Sequence, residues 1–479
     1  MLVQPDLPDL DDVLDEILDR QPETMPVPTL GRVAAVLRLM GDPQESFHVI
    51  HVAGTNGKTS TARLIEGLLR GSGVRTGLYT SPHLHSATER ISVDGDNLSD
   101  QKFVETYEEI RPLLAMVDDA EAAEGRPSLT FFEVMTCIAF AAFADAPVEV
   151  AVLEVGLGGR WDATNVANGR VAVVAPIDID HVEFLGHTLE EIANEKAGVI
   201  KAGSIAILGP QHPEIMALLQ RRCAEVGATA RCYGEDFAVQ SRSVAVGGQL
   251  LNIRGSEGDY DEIFLPLAGE HQAQNAAVAI AAAEALLVSD APLGPDLVAA
   301  LGEVSSPGRL EVIQRQPTVL VDAAHNPAAM RALAAAVTDH FHFEHLVVVM
   351  SAMSDKDLVG MLVNLQPIAS QIIVTTNSSV RAVAAEYLGE VAAEAFGSDR
   401  VEVVGNLDQA MSQAVDIASQ RGGAVLATGS VVTAADASQW ARWRHMTFSD
   451  QVLSRRLELH RKPPHHLKFY SRILHVSFF

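Results

Sequence analysis

Cysteine and long apolar runs are scarce in this sequence. The three cysteines, Cys137, Cys223 and Cys232, show neither the spacing of a metal site nor a disulfide framework. No run is apolar and long enough to span a membrane, and the acidic N-terminus lacks the basic and apolar parts of a signal peptide. These shortages argue against a disulfide-rich secreted domain and a membrane protein, and they predict a cytoplasmic location.

Positive charge is also in short supply. The chain has 35 Lys and Arg against 62 Asp and Glu, which gives a net charge of −27. Binding to a nucleic-acid backbone requires a basic face, so this charge argues against a nucleic-acid partner. The hydrophobic content of 48% is typical of a globular protein. A length of 479 residues predicts two domains or more.

The strongest signal that is present is the segment HVAGTNGKTS, residues 51–60, between a predicted buried strand and a predicted helix. Gly54 and Gly57 let the backbone pass close to phosphate oxygens, and the following helix directs N–H groups at them. Lys58 supplies a positive charge for the β- and γ-phosphates, and Thr59 supplies a hydroxyl for Mg²⁺. We therefore predict a nucleotide phosphate loop; the alternative is an ordinary glycine-rich turn with a surface lysine.

The rest of the chain alternates predicted strands and helices, which indicates an α/β fold with a parallel sheet. Shorter, hairpin-like strands interrupt this pattern between 232 and 268, and a flexible stretch is predicted through 89–91. The segment SSPGRL at 305–310 resembles a linker, and a second α/β alternation follows it. We expect a P-loop ATPase domain over 1–304 and a smaller, Rossmann-like C-terminal domain over 305–440.

The end of the chain has a different composition. Residues 441–479 hold eight Lys and Arg and two Asp and Glu, so this part is basic while the whole chain is acidic. We expect a loosely ordered basic tail there, and we assign it no function.

Four polar clusters fall at the predicted carboxyl ends of strands in the first half: the phosphate loop, Ser81, Glu154 and His181. Ligands bind at this edge of a doubly wound sheet. A glutamate that closes a run as apolar as VAVLEV is costly to bury unless a cation or a partner holds it, and Mg²⁺ on ATP is the obvious cation. Alternatively, Glu154 emerges into solvent, Ser81 is an ordinary loop serine and His181 is structural.

Several motifs occur in the order found in one known family. They are AGTNGKTS at 53–60, TSPHL with ERI at 80–91, EVGLGGRWDATN at 154–165, DH at 180–181, EKAG at 195–198, PGRLE at 307–311, DAAHNP at 322–327 and TGS at 428–430. In this the chain resembles the folylpolyglutamate synthase family, including the bifunctional dihydrofolate synthases of bacteria, over roughly residues 28–440. That family belongs to the Mur-ligase-like ATP-dependent amide ligases.

The resemblance implies a reaction. ATP phosphorylates the carboxylate of dihydropteroate or of the terminal glutamate of a folate, and the amine of L-glutamate attacks the acyl phosphate. A carboxylate is a poor electrophile at pH 7, so it needs an activated leaving group, and phosphoryl transfer depends on metal and cation clamps. The implied partners are ATP, L-glutamate, dihydropteroate and reduced folates, with a monomeric enzyme and neither nucleic acid nor membrane.

The resemblance also assigns residues to the nucleotide and the metal. It implies two Mg²⁺ ions and K⁺ as cofactors, and it places ATP in the cleft between the two domains. Lys196 matches a lysine that the family carries as a carbamate; if it is unmodified, Lys196 is an ordinary surface lysine. The implied catalytic residues are Lys58, Lys196 and His181. The implied metal ligands are Ser81, Glu154 and His181. The implied ATP contacts are Gly54, Thr55, Asn56, Gly57, Lys58, Thr59, Ser60, Asn275, Arg309 and Asp322.

Two further groups of residues match substrate-binding positions. An aromatic pair beside a carboxylate suits a flat pterin, although both phenylalanines could equally be core. His325 and Ser430 match positions associated with the incoming glutamate, although His325 lies in an HNP segment that could equally cap a helix. The implied pterin or folate contacts are Thr130, Phe131, Phe132, Glu133, Trp161, Asp162 and Ala163.

Departures from the family and from the full phosphate-loop pattern are small. Position 52 is Val52 where the full pattern has glycine, and Thr59 stands where the family often has glycine. Trp161 places a bulky ring where relatives carry a smaller residue, which could alter the fit of the pterin.

Three other functions compete with the folate ligase. A Mur ligase that builds cell-wall peptide would need a UDP-sugar domain ahead of the phosphate loop, and the loop begins at Gly54. A P-loop switch or transport ATPase would leave the motifs at 154–165 and 322–327 unexplained. A nucleotide-binding scaffold without catalysis would have no need of Lys196 and His181 beside Glu154.

Overall fold

The computed structural model describes residues 7–20, 29–287 and 293–445. The chain divides into two units. The first contains the described residues up to Pro266 together with His271–Ser305, and the second contains Leu267–Glu270 and the described residues from Ser306 onward.

An eight-stranded sheet forms the centre of the first unit. Its strands are β1 His48–Ala53, β2 Thr76–Tyr79, β3 Ile91–Val93, β4 Asp96–Asn97, β5 Val150–Glu154, β6 Val171–Val174, β7 Ile205–Leu208 and β8 Thr229–Cys232. Their order is β4-β3-β2-β5-β1-β6-β7-β8. The sheet is parallel from β2 to β8, whereas β3 and β4 are antiparallel. The predicted α/β fold with a parallel sheet is confirmed, and the sheet has an antiparallel edge formed by β3 and β4.

The central strands of this sheet are buried on both faces, which explains their near-continuous apolar sequence. Helices cover them and connect them. Those of the first unit are α1 Leu10–Leu18, α2 Gly31–Leu39, α3 Lys58–Gly71, α4 Asp100–Ala123, α5 Phe131–Asp145, α6 Val182–Leu185, α7 Leu189–Lys196, α8 Pro213–Val226, α9 Glu270–Leu287 and α10 Pro295–Ala299.

The predicted hairpins form a separate antiparallel sheet of three strands in the order β11-β10-β9. The strands are β9 Ala238–Ala245, β10 Gly248–Arg254 and β11 Asp259–Leu265. Gly247, with a φ of 80°, lies in the turn between the first two, as the Gly-Gly signal predicted.

The stretch predicted to be flexible at 89–91 is ordered and mostly buried. A short 3-10 helix covers Ala87–Arg90, and Ser86 and Glu89 form a capping box at its start. Arg90 is only 1% exposed, its Nε donates to Nδ1 of His83 at 2.9 Å, and Ile91 opens β3. The prediction of flexibility was wrong because it overlooked the serine-to-glutamate capping signal.

The second unit is a six-stranded sheet in the order β12-β13-β17-β14-β15-β16. All neighbours are parallel except the β12–β13 pair. The strands are β12 Glu311–Arg315, β13 Thr318–Val321, β14 Leu346–Met350, β15 Gln371–Val374, β16 Val401–Val403 and β17 Ala424–Thr428. The helices are α11 Pro327–His340, α12 Leu358–Leu365, α13 Ala385–Phe396, α14 Leu407–Arg421 and α15 Val431–His445.

The last helix crosses the predicted start of the basic tail, because α15 continues to His445. The remainder of that predicted tail, 446–479, lies outside the described residues. Within the described ranges, no helix is both long and apolar enough to cross a membrane.

Candidate active site

The phosphate loop joins β1 to α3 and is shaped by close packing at two glycines. Gly57, with a φ of 82°, precedes Lys58, the first residue of α3, and a Cβ at Gly57 would lie 2.7 Å from Oδ1 of Asn275. A Cβ at Gly54 would lie 2.8 Å from that of Ala175. Gly57 is the N-cap residue of α3 and has no side chain with which to cap the helix. The helix start is therefore arranged to receive an anion.

The two lysines predicted to act in catalysis meet at one backbone oxygen. Nζ of Lys58 donates to the carbonyl of Gly54 at 3.1 Å and to that of Thr55 at 3.2 Å. Nζ of Lys196 donates to the same Gly54 carbonyl at 2.9 Å. Burial, and secondarily the positive charge of Lys58, lowers the pKa of Lys196 to about 7. A substantial fraction of Lys196 is thus a neutral amine near neutral pH.

Two of the three predicted metal ligands lie together. Glu154 is 1% exposed and ends β5; its Oε1 accepts a hydrogen bond from the hydroxyl of Thr59 at 2.8 Å. Its Oε2 accepts one from the backbone N–H of Ser81 at 3.1 Å. Glu154 does not emerge into solvent, so that alternative is wrong. A buried carboxylate beside the hydroxyl of Thr59 supplies oxygen donors that suit a hard cation such as Mg²⁺.

His181, the third predicted ligand, follows β6 at the start of α6 with a φ of 50°. Its Nε2 lies 3.9 Å from Oδ2 of Asp180. The segment is anchored to the phosphate loop, because the hydroxyl of Thr55 donates to the carbonyl of Asp178 at 2.9 Å. The described residues contain no group of three or more His, Cys, Asp or Glu side chains that could hold a metal ion. Any Mg²⁺ would therefore depend on phosphate oxygens and hydroxyls besides Glu154 and His181.

The residue predicted to contact adenine lies directly behind the phosphate loop. Asn275 is buried on α9, and its Nδ2 donates to Oε1 of Gln272 at 3.1 Å. Gln272 in turn lies 3.3 Å from the hydroxyl of Ser60, with its Nε2 as the donor. Helix α9 thus supports the loop through two amide side chains, and sequence reasoning missed Gln272.

The predicted pterin segment at 130–133 has a clear structural role. Thr130 caps α5, and Glu133 completes the capping box. The carboxylate of Glu133 also forms a buried ion pair with Arg32 of α2, at 3.0 Å from its guanidinium. Phe131 is fully buried, with the guanidinium of Arg90 5.2 Å from the ring centroid. Phe131 is therefore core, and its ring is not available for the predicted stacking.

Phe132 retains exposed surface and is the aromatic residue of this pair that a ligand could reach. Its ring lies 5.8 Å from that of Tyr79, centroid to centroid. A Cβ at Gly156 would lie 2.5 Å from the Phe132 ring. Glycine at this position is therefore required for the ring to lie against the 156–167 segment, which we call the folate loop.

The folate loop contains Trp161, Asp162 and Ala163. Trp161 is 51% exposed, whereas Asp162 is 5% exposed and caps the short helix Ala163–Val166. Oδ2 of Asp162 accepts from the N–H of Leu157 at 2.9 Å, and Oδ1 accepts from the N–H of Thr164 at 3.0 Å and from its hydroxyl. Burial raises the pKa of Asp162, and these hydrogen bonds oppose that shift.

The folate loop interlocks with the EKAG segment that carries Lys196. A Cβ at Gly159 would lie 2.8 Å from the carbonyl oxygens of Glu195 and Lys196, and one at Gly198 would lie 2.5 Å from Cα of Arg160. The N–H of Arg160 donates to the carbonyl of Glu195 at 3.0 Å. The two motifs fit only because glycine stands at both contacts.

In the second unit, the predicted nucleotide contact Asp322 is held by backbone groups. Its carboxylate oxygens accept from the N–H groups of Leu310 and Ala324, each at 2.8 Å. Burial raises the pKa of Asp322, and the positive charge of the half-buried Arg309 opposes this shift. Arg309 therefore lies near enough to influence Asp322, and the role of the two residues in nucleotide binding stays a prediction.

The predicted glutamate-binding residues lie at helix starts. Asn326 caps α11 and accepts from the N–H of Ala329 at 2.9 Å, so the helix cap in the HNP segment is confirmed for Asn326. Nδ1 of His325 lies 2.9 Å from the carbonyl of Ala323. Ser430 directly precedes α15, and its hydroxyl accepts a hydrogen bond from the N–H of Thr433 at 3.0 Å. His325 is half-buried, whereas Ser430 is buried.

Models of known families match most of the chain. The Mur ligase middle domain matches residues 52–283, and the Mur ligase glutamate ligase domain matches residues 308–431. The middle-domain match includes the phosphate loop, and the glutamate ligase match includes His325 and Ser430.

Two relatives of similar length have the same name, which joins two activities. A dihydrofolate synthase/folylpolyglutamate synthase of Mycobacterium tuberculosis is 46% identical, over 88% of this chain and 92% of its own. One of the same name from Bacillus subtilis is 34% identical, over 79% of this chain and 88% of its own. The chain therefore belongs to the dihydrofolate synthase/folylpolyglutamate synthase family of Mur-type ligases.

Solved structures agree with this assignment. A folylpolyglutamate synthase of M. tuberculosis complexed with ADP and AMPPCP has a TM-score of 0.86 at 45% identity, covering 90% of this chain and 98% of the other. An E. coli FolC in complex with DHPP and ADP has a TM-score of 0.78 at 30% identity, covering 92% of this chain and 99% of the other.

Proposed function

We propose that this chain is an ATP-dependent ligase that adds L-glutamate to dihydropteroate and to the γ-carboxylate of folates through an acyl phosphate. The observation that carries the proposal is the convergence of Lys58 and Lys196 on the Gly54 carbonyl, beside the start of α3 with its glycine N-cap. The names of the relatives support it, and they favour it over a cell-wall ligase, a switch ATPase and a non-catalytic scaffold.

The nucleotide phosphates bind over residues 54–60. Backbone N–H groups at the start of α3 receive the phosphate oxygens, and Lys58 leaves its carbonyl partners to neutralise the β- and γ-phosphates. Asn275 contacts adenine, and Arg309 and Asp322 are further nucleotide contacts that the family resemblance implies. The ordered loop supports this, because its glycines are required by packing as well as by phosphate approach.

Magnesium would be held by Glu154, Ser81 and His181 together with ATP oxygens. It would supply charge neutralisation for the phosphoryl group in transfer. The fit rests on the buried carboxylate of Glu154, which already lies among hydroxyl and N–H groups. K⁺ remains part of the proposal through the family resemblance alone.

Lys196 acts as a carbamate. The ammonium group first loses one proton to become the neutral amine. Addition of CO₂ to this amine forms an N–C bond and releases a second proton, so a buried cation becomes an anion. The lowered pKa of Lys196 supports this step, because only the neutral amine is nucleophilic. The resulting carboxylate binds metal or orients His181.

The folate substrate binds at the two segments around Phe132 and Trp161, which both keep exposed surface. His325 and Ser430 serve the incoming glutamate, whose amine attacks the acyl phosphate to form the amide and release phosphate. We further propose a cytoplasmic monomer that acts on small molecules without nucleic-acid or membrane partners.

One assay tests this function directly. ATP-dependent incorporation of labelled glutamate is measured side by side with dihydropteroate and with tetrahydrofolate, and with neither as the control. We expect incorporation and ADP release that require both a folate-type acceptor and glutamate. ADP release that needs neither acceptor nor glutamate would contradict the ligase.

The folate segments can be tested within the same assay. Asp162→Ala is expected to impair the dihydropteroate reaction more than the extension of tetrahydrofolate. Equal loss in both reactions would show that Asp162 serves the fold in general and does not select a substrate.

A further inference from the structure

Three loops of the second unit meet around one buried amide side chain, that of Asn377. Ser351 directly follows β14, Asn377 lies in the loop after β15, and Ser430 lies between β17 and α15. The three strands are parallel neighbours in the order β17-β14-β15, so these loops leave the same edge of the sheet. The carboxyl ends of such strands form the edge at which open α/β sheets bind ligands. No motif of the family resemblance includes Asn377.

The hydrogen bonds of Asn377 fix the orientation of its amide. Oδ1 accepts from the backbone N–H of Ser379 at 3.0 Å, and a backbone N–H can only donate. The other branch of the amide is therefore Nδ2, whose two hydrogens go to the hydroxyl oxygens of Ser430 and Thr433, each at 3.1 Å. The backbone N–H of Asn377 donates to the hydroxyl of Ser351 at 3.0 Å. One buried residue thus holds all three loops together.

The hydrogens of the two hydroxyl groups can be assigned in the same way. The hydroxyl of Thr433 lies 2.8 Å from the carbonyl oxygen of Ser351, which only accepts, so Thr433 gives its single hydrogen there. The hydroxyl oxygens of Thr433 and Ser430 are 2.8 Å apart, and Ser430 must therefore be the donor of that bond. The oxygen of Ser430 itself accepts from the N–H of Thr433 at 3.0 Å and from Nδ2 of Asn377.

This arrangement sets what Ser430 can offer to a ligand. Both lone pairs of its oxygen face fixed donors, so the hydroxyl can offer only its hydrogen. An ionised carboxylate only accepts, so a donating hydroxyl is what either carboxylate of glutamate requires. When the hydrogen turns away from Thr433, the oxygen of Thr433 keeps the bond from Asn377 and is not left unsatisfied, which would cost free energy in a buried position.

We propose that Asn377 is a positioning residue for the incoming glutamate. Its amide makes the hydroxyl of Ser430 a donor only, and the hydrogen of that hydroxyl turns from Thr433 to a carboxylate oxygen of the amino acid. The inference rests on the proposed function, in which Ser430 serves glutamate. Asn377 does not touch the substrate and acts through Ser430; the alternative is a purely structural link among the three loops.

The test uses two variants of Asn377. Asn377→Ala removes both donors, and Asn377→Asp keeps the acceptor for Ser379 while it replaces the donors with an oxygen. Asn364→Ala is the matched control, because Nδ2 of Asn364 donates to the carbonyl of Gly360 within α12, at 2.7 Å. KM is measured for glutamate and for ATP by the incorporation of labelled glutamate.

A second measurement bypasses the glutamate site. Hydroxylamine replaces glutamate, its nitrogen attacks the acyl carbon of the acyl phosphate, and the bond from that carbon to the phosphate oxygen breaks. The hydroxamate that forms reports the acyl phosphate, so it measures the phosphoryl transfer without the binding of glutamate.

We expect Asn377→Ala and Asn377→Asp to raise the KM for glutamate about ten-fold, the effect of weakening one hydrogen bond to a charged group. The KM for ATP and the rate of hydroxamate formation should stay within about two-fold of wild type, because sites without shared partners respond independently. Asn364→Ala should match wild type in every measurement. In a Ser430→Ala background, neither Asn377 variant should raise the KM for glutamate further, because both changes act through one hydroxyl.

Three outcomes would overturn the proposal. An unchanged KM for glutamate in both Asn377 variants would show that the amide does not serve the amino acid. A rise in that KM with an equally large fall in hydroxamate formation would show a structural link whose loss damages the enzyme in general. A further rise in the Ser430→Ala background would show that Asn377 does not act through Ser430.

If Asn377→Ala does not fold, Asn377→Asp alone and with Ser430→Ala decides. If the wild-type protein incorporates no glutamate with any folate-type acceptor, the proposed function fails and this inference fails with it. If the wild-type protein incorporates glutamate and the Asn377 variants keep its KM, only the inference fails.

Discussion

Several motif residues of the two α/β units are held in different ways, although the hydroxyl of Ser430 in the second unit also accepts a hydrogen bond from the distant Asn377 at 3.1 Å. In the first unit, partners come from distant parts of the chain: Lys196 and Gly54 are 142 positions apart, and Thr59 and Glu154 are 95 apart. In the second unit, Asn326 and Ser430 each bind a backbone N–H three residues further on.

This difference indicates that motif residues of the first unit serve mainly the reaction, whereas several of the second unit serve mainly the stability of the fold. In the first unit, Lys196 and Glu154 meet other motif segments, so removing one should cost activity more than stability. In the second unit, several motif side chains cap helices, so removing one should cost stability first. The following predictions test that contrast, beginning with the largest effect.

Lys58→Ala should reduce ligase turnover by about 10³-fold, the scale of losing one charged group that stabilises a transition state. The melting temperature should stay close to that of wild type, because Nζ of Lys58 donates to carbonyl oxygens of its own loop. Lys102→Ala, which removes an exposed ion pair with Asp145, is the control. Near-normal turnover with unchanged nucleotide affinity would remove Lys58 from the mechanism.

Lys196→Ala should lower turnover by about 10²-fold, and a short carboxylate such as formate should partly restore it. Lys196→Arg should not restore it, because arginine keeps the charge and cannot form a carbamate. Activation of wild type by CO₂ should increase as the pH rises through about 7, where the amine becomes neutral. An active arginine variant, or a mass showing unmodified lysine in active enzyme, would refute the carbamate.

The same lysine gives a stability prediction with a definite sign. Its pKa is lower in the folded than in the unfolded chain, so between about 7 and 10.5 the unfolded chain binds more protons. In CO₂-free buffer, Lys196→Met should therefore melt above wild type below pH 7, and the gap should shrink towards pH 10.5. Thermal unfolding across this range measures the gap, and a constant gap would contradict the lowered pKa.

Gly57→Ala should weaken nucleotide binding and destabilise the first unit by about 1–3 kcal/mol, since it strains a left-handed residue and its Cβ would meet Asn275. Adding Asn275→Ala should relieve the clash but not the strain, so only part of the stability should return. Calorimetry of the two variants, with Asn275→Ala alone as the control, checks this. Full recovery in the double variant would show that the backbone is unstrained.

Asn326→Ala should have the smallest effect, a loss of about 1 kcal/mol from the missing helix cap. The neighbouring His325→Ala keeps the cap, so it should leave the melting temperature unchanged while raising the KM for glutamate. Chemical unfolding measures the stability of the two variants, and glutamate titration measures their KM. Together they distinguish a residue that caps the helix from a neighbour that binds glutamate. If the KM for glutamate rose in Asn326→Ala and not in His325→Ala, the binding role would belong to Asn326 and not to His325.

Local patterns predicted much of this fold. The phosphate loop follows from the spacing of Gly54, Gly57 and Lys58, and the turn at Gly247 follows from its Gly-Gly pair. The β3–β4 hairpin was missed although Asp94-Gly95 is a hairpin-turn signal, because its strands have only three and two residues. The T-x-x-E capping box at Thr130 was also readable, but the resemblance had assigned those residues to the pterin.

Contacts across the sheet were beyond sequence reasoning. His51 and Thr164 are 113 positions apart, and nothing in either local pattern predicts their pairing. The same holds for Arg32 of α2, which forms a buried ion pair with Glu133 of α5, one of the predicted pterin contacts. Such pairs depend on which strands and helices are neighbours in space. No single segment of the sequence indicates the strand order β5-β1-β6.

The interlock of Gly159 and Gly198 has an evolutionary consequence. Each glycine leaves room for the backbone of the other motif, so the two segments must change together or not at all. Recombination between diverged genes with a crossover between residues 167 and 195 would pair a folate loop from one parent with an EKAG segment from the other. Such offspring should survive only when both parents keep glycine at the two contacts, and this part of the gene should be inherited as one block.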